Sequence, residues 1–157
     1  MRSSSSPAPQ QRVTDPLLSA ATTLLDTTGT PLTPLSDDEI LDALRGLERA
    51  RRILTAVEHR LITETAERAL PARTGTGTLK RLLIHTLRLS HPDATARITA
   101  TKTLGTWHDL DGTPVQPLHP ATAAAQADGD ISTDHTREIT KILKHIPGSI
   151  TNLHFEA

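Results

Sequence analysis

The stretch SDDEILDALRGLERARRILTAVEHRL, residues 36–61, decides what kind of protein this is. Ser36 stands three residues before Glu39, the spacing of a capping box, in which the hydroxyl accepts from the Glu amide and the carboxylate reaches back to the Ser amide. Asp37, Asp38 and Glu39 put three acids where a helix dipole is positive. Behind that start Ile40, Ala43, Leu44, Leu47, Ala50, Leu54, Val57 and Leu61 share one helical face, and Ile40, Leu47, Leu54 and Leu61 are seven apart. Glu48 with Arg52 and Glu64 with Arg68 are acid-before-base pairs at i, i+4. The pattern predicts a helix running to about Leu70, on the order of 50 Å long at 1.5 Å per residue. Such a helix packs along other helices or along a second copy of itself. Arg51 interrupts the heptads on the apolar face, which favours an ordinary intramolecular core over a partner seam.

Upstream, residues 1–35 are rich in Ser, Pro, Thr and Gln and read as a flexible tail, with Leu17, Leu18, Leu24 and Leu25 as a short helix at most. Downstream, Pro71 and the Thr74–Thr78 loop end the long helix. That loop has two glycines but neither a preceding strand nor a Gly-Lys-Ser/Thr ending, so it is no phosphate cradle. Residues Leu79 to Leu89 are apolar nearly all round, as in a buried central helix. Ser90 caps a further helix with Pro92 in its first turn, ending at Gly105. Residues 105–119 read as an irregular arm with a turn at Asp111-Gly112. Pro120 opens a short Ala-rich helix that stops at Gly129, and Ser132 caps a last one with Ile139, Ile142, Leu143 and Ile146 on its apolar side, ended by Pro147-Gly148. The result is an all-α fold, a multi-helix bundle with one long N-terminal helix and short helix-turn-helix-like corners. It spans residues 36–147, with a short C-terminal tail at 148–157.

Composition excludes several functions. With no cysteine there is no disulfide framework, thiolate nucleophile or cysteine zinc site. Trp107 and Phe155 are the only aromatic side chains apart from histidine, which counts against binding of single-stranded nucleic acid by base stacking. A net charge of -1 gives no global field, so any polyanion must be met by a local patch. No run of 18 apolar residues occurs and the N-terminus lacks the apolar core of a signal peptide, so a cytoplasmic protein without membrane contact is expected.

Several segments in this order resemble a known family. They are residues 35–44 (LSDDEILDAL), 74–78 (TGTGT) before a Leu-rich helix, 90–97 (SHPDATAR), 118–125 (LHPATAAA) and 129–139 (GDISTDHTREI). Together, over roughly residues 35–147, they are similar to the actinobacterial 13E12 repeat family, whose N-terminal region is domain of unknown function 222. The resemblance implies a helical region commonly followed by an HNH endonuclease domain, hence work on DNA, and it stops before that domain. An HNH site needs a general-base His, an Asn that orients water, and further His or Asp metal ligands. The one Asn, Asn152, has only His154 after it. The remaining histidines, His59, His85, His91, His108, His119, His135 and His145, read as surface or cap residues, and His85 and His91 straddle a helix break. No catalytic residue, metal or cofactor is expected.

Two segments have a helix-turn-helix shape. In residues 79–104, Lys80, Arg81, Arg88, Arg97 and Lys102 stand against the single acid Asp93. Arg97 and Lys102 are placed to reach phosphates, Thr95 and Thr99 to touch base edges. In residues 121–144, Gly129 sits in the turn and the second helix offers Arg137 and Lys141, diluted by Asp134 and Glu138. For both, the plain alternative is a helical corner whose charges face water. The sequence therefore supports a noncatalytic module associated with duplex DNA. The alternatives are a homodimerising or partner-binding helical module using the Ile40 to Leu61 stripe, or an inactive truncated remnant.

Overall fold

The computed structural model describes residues 14–145, which lie in two compact units divided between Asp42 and Ala43. In the first, helix α1 (Thr14–Thr28) occupies a stretch expected to be mostly flexible tail. None of its residues is buried, and Thr22, Thr23 and Thr27 each donate a hydroxyl to the carbonyl four residues back. The start of helix α2 (Asp37–Glu67) follows the expected box. Ser36 Oγ accepts from the Glu39 amide at 3.3 Å, and Glu39 Oε2 accepts from the Ser36 amide at 2.8 Å. These bonds from Ser36, backbone first, hold the Glu39 carboxyl below its usual pKa.

The second unit contains the rest of α2 and the following elements. The long helix stops at Glu67 rather than near Leu70, because Pro71 has no N–H to give the Glu67 carbonyl. Ala69 takes a left-handed turn, φ 51°, into the short helix α3 (Leu70–Arg73). Thr78 Oγ1 accepts from the Arg81 amide and starts α4 (Leu79–Leu87). Arg88, at φ 54°, ends it. Ser90 Oγ accepts from the Asp93 amide and starts α5 (His91–Leu104). The arm expected to be irregular forms a small antiparallel hairpin, β1 (Trp107–His108) and β2 (Pro114–Val115), with Trp107 opposite Val115 and Gly112 at φ 88° in the turn. Helix α6 (Pro120–Ala127) and helix α7 (Thr133–Leu143) follow, the latter capped by Ser132, whose Oγ accepts from the His135 amide at 3.2 Å. The expected stop at Pro147-Gly148 lies outside the described residues, as do Ile146, Asn152 and His154.

The core is small. Ile62 of α2, Leu83 of α4 and Ala94 of α5 meet at its centre, flanked by Leu79, Ile84, Leu89 and Ile98. Two expectations are corrected here. Helix α4 is not buried all round: Leu83 alone is fully covered and Leu87 is 46% exposed. Nor is the leucine stripe of α2 the core. Leu44, Leu47, Leu54 and Leu61 are 41–57% exposed, while the buried residues of this helix are His59, Ile62 and Thr63. At 100° per residue, His59 and Thr63 lie on nearly the opposite side from Leu47, Leu54 and Leu61. What turns that polar side inward is hydrogen bonding. Arg52 donates to the carbonyls of Gly129 and Asp130 at 3.2 and 3.0 Å, and the helix approaches the α6–α7 turn so closely that a Cβ on Gly129 would stand 2.7 Å from Arg49 Cγ.

Candidate functional site

His59, expected at the surface, lies at the junction of α2, α5 and α6 and is only 3% exposed. Its Nδ1 is 3.1 Å from Thr101 Oγ1 and its Nε2 is 3.1 Å from Gln126 Oε1. The Thr101 hydroxyl is also 2.8 Å from the Arg97 carbonyl. A neutral ring with its proton on Nε2 donates to Gln126, and the Thr101 hydroxyl then serves either Nδ1 or the Arg97 carbonyl. A protonated ring would let all three bonds form together. Burial outweighs that gain and lowers the His59 pKa against the Gln126 hydrogen bond and the charge of Glu58, so the ring is held neutral. Gln126 Nε2 and Thr63 Oγ1, both buried nearby, have no hydrogen-bond partner among the described residues. Gly105 closes the junction: a Cβ there would stand 2.6 Å from the Thr101 carbonyl oxygen and 2.9 Å from Thr63 Oγ1.

Beside this junction runs a groove of about 730 Å³ between α2, α5 and α7. Leu54, Ala96, Ala100 and Leu104 supply apolar lining, and Arg137, Lys141 and Lys144 supply cations from α7 and its C-cap. Arg97 also lines it but is engaged. Its Nε and Nη2 bind the two Asp93 oxygens at 3.0 and 3.1 Å, and its Nη1 pairs with Glu58 across to α2. These partners, the Asp93 bond first, raise its pKa.

The sequence candidates for DNA contact are therefore divided. Thr95, Thr99 and Lys102 share one exposed stripe of α5, whereas Arg97 points to the other side of the helix, toward α2. The two threonines donate their hydroxyls to the carbonyls of His91 and Thr95, leaving oxygen lone pairs outward. Arg81 and His85 lie on the exposed side of α4, opposite buried Leu83, with Lys80 half-buried beside them and Arg88 exposed at the left-handed end. Among the described residues Lys80, Arg81, Arg88 and Lys102 have no carboxylate partner. Arg137 and Lys141 have one each, Asp134 at 2.7 Å and Glu138 at 3.6 Å on the same helix.

The histidines find separate employment. His135 completes the α7 cap, and His108 donates its backbone amide to Glu67 at 2.7 Å with its ring 2.9 Å from the other carboxylate oxygen. Desolvation pushes the Glu67 pKa up, and the bonds from His108 more than reverse it. In the hairpin turn Asp111 is pulled down to about 2 by its hydrogen bonds with Asp109 and Thr113. Among the described residues no three His, Asp or Glu side chains group closely enough to hold a metal ion, and no helix is long and apolar enough to cross a membrane.

Sequence comparison places these features in a family. The family model described as domain of unknown function (DUF222) matches residues 41–153. An uncharacterized protein of Mycobacterium bovis is 35% identical over 116 residues, 74% of this chain and 25% of that protein. Two uncharacterized proteins of Mycobacterium tuberculosis are each 33% identical over 138 residues, 88% of this chain and 33% or 30% of their own lengths. This chain thus spans about a quarter to a third of the relatives it matches. No solved structure matches.

Proposed function

This chain belongs to the DUF222 family, and we propose that it is a noncatalytic helical module that binds duplex DNA through the α4–α5 corner. The observation that carries this reading is the set of four cations without ionic partners among the described residues, Lys80, Arg81, Arg88 and Lys102, on two consecutive helices and the turn between them, where the only acid, Asp93, is occupied by Arg97. A cation already paired with a carboxylate gives little to a phosphate, whereas a free one neutralises a phosphate and releases a counterion condensed on the DNA. Thr95 and Thr99 present oxygens on the same stripe of α5 as Lys102 and reach for phosphates or base edges. Arg137 and Lys141, sharing charge with Asp134 and Glu138, add less. Arg97 acts as a buttress that holds α5 against α2 and not as a contact.

Fluorescence anisotropy with a labelled duplex tests this. Affinity is expected to fall steeply as salt rises, and Arg88→Ala with Lys102→Ala to weaken binding similarly on all sequences and to lower the salt slope by about one per contact removed. Arg97→Ala is expected to cost about 1 kcal/mol of stability, after allowing for its partly solvated setting, and to spare DNA affinity. Absent or salt-insensitive binding would sink the reading.

A second reading, a module that assembles with another helix, is favoured by one observation. Leu44 and Leu47 of α2 are 57% and 41% exposed, on the side of the helix turned away from the core. Exposed contiguous apolar surface of this kind marks interaction sites.

A further inference from the structure

We propose that the groove between α2, α5 and α7 is a docking site for an amphipathic helix with an acidic polar face, supplied by a partner protein. The two long walls are single helical faces. On α5 the lining runs from Asp93 through Ala96, Thr99, Ala100 and Thr103 to Leu104, with Arg97 beside them, and on α7 Thr133, Thr136, Arg137, Thr140, Lys141 and Lys144 recur at three- and four-residue steps. Each wall covers twelve residues, 93–104 and 133–144, about 16 Å or three helical turns. That is the footprint of a helix laid lengthwise into a groove, read through side chains at i, i+3, i+4 and i+7.

The lining also states what kind of helix. The two alanines of α5 let a neighbouring backbone approach closely, and Leu54 and Leu104 give it apolar contact. The charge along the groove is unbalanced. Both of its carboxylates, Glu58 and Asp93, are consumed by Arg97. The α7 rim keeps Arg137, Lys141 and Lys144, whose only ionic partners among the described residues are exposed acids of α7 itself, and Lys144 has none. Counted over the lining itself the surplus is positive and lies on the α7 side, where Arg137 and Lys141 share charge with Asp134 and Glu138, which do not line the groove, and Lys144 shares with no acid among the described residues. An occupant that lays Leu or Ala on the floor and aims Glu or Asp at that rim satisfies both features. Duplex DNA satisfies only the charge, since it has no apolar face for Leu54, Ala96, Ala100 and Leu104. Thr99, at the edge of the groove, is shared with the DNA contact set proposed above, whereas Lys80, Arg81, Arg88 and Lys102 are not part of its lining.

The test is a display library of helical peptides with a fixed Leu/Ala stripe and Glu, Gln or Lys free to occur at every polar position, selected on the full 157-residue chain. Glu-rich peptides are expected to be enriched. Their affinity is expected to fall at least tenfold with Lys141→Glu plus Lys144→Glu, and also with Ala96→Trp, which fills the groove from an exposed position. Circular dichroism melts confirm that each variant is folded. No enrichment, enrichment blind to charge, or peptide affinity untouched by both variants overturns the proposal. So does duplex DNA that displaces the peptides and loses affinity with the same variants, which would make the groove a nucleic-acid surface. Loss of DNA binding by Arg88→Ala and Lys102→Ala with peptide binding intact separates this site from the α4–α5 corner.

Discussion

Burial of a titratable ring between Thr101 and Gln126 ties folding to pH at the level of one residue. The folded state holds the His59 pKa below its ordinary value of about 6.5, chiefly by desolvation, while the unfolded chain leaves it near that value. Below that pH the unfolded state takes up the proton first, so the contribution of neutral His59 is full above about pH 6.5 and is lost as pH falls through the lowered folded value. Urea unfolding at pH 7.5, 6.5 and 5.5 is expected to show falling stability across this window. His59→Gln, which keeps polar atoms near Thr101 and Gln126 but cannot titrate, is expected to flatten that slope even if it lowers stability overall. An unchanged slope in the variant would assign the pH dependence elsewhere.

Within a single element, α2, two faces are in competition. The face that carries His59, Ile62 and Thr63 is covered, and the face that carries Leu44 and Leu47 is open. If that open face is a seam between copies, Leu44→Asp with Leu47→Asp should turn a concentration-dependent dimer into a monomer in light scattering. Each substitution should change the stability of the monomer by only about 0.5 kcal/mol, because both side chains are already largely in water. Wild-type protein that stays monomeric at every concentration would sink the assembly reading. A variant that fails to fold would mean that these leucines are buried after all.

At the scale of the whole molecule, stability rests on few apolar contacts. Ile62, Leu83, Ala94 and Leu104 are the buried hydrophobic residues among those described, and polar side chains fill the rest of the interior. Leu83→Ala removes the α4 contribution to the centre and should cost roughly 2–5 kcal/mol, enough to unfold a domain near the lower end of the usual 5–15 kcal/mol. A urea melt with its midpoint lowered by less than about 1 kcal/mol equivalent would show that the core lies elsewhere. The same polar interior explains what the sequence could and could not disclose. Helix starts at Ser36, Ser90 and Ser132 were legible because a cap is settled by residues three apart. The buried face of α2 was not, because Thr101 and Gln126 lie 42 and 67 positions from His59, and nothing local distinguishes a satisfied histidine from an exposed one. Among the candidate contacts, the cationic corner could be read from composition. The diversion of Arg97 to Glu58, 39 residues away, could not.

Trp107 bonds its indole N–H to the Thr101 carbonyl at 3.3 Å, one residue position shared with the His59 network and next to Gly105. The chain has no other tryptophan and no tyrosine. Its tryptophan emission therefore comes from a single side chain anchored at the junction of α5 and the hairpin, so the protein carries a built-in optical probe of that junction that needs no label.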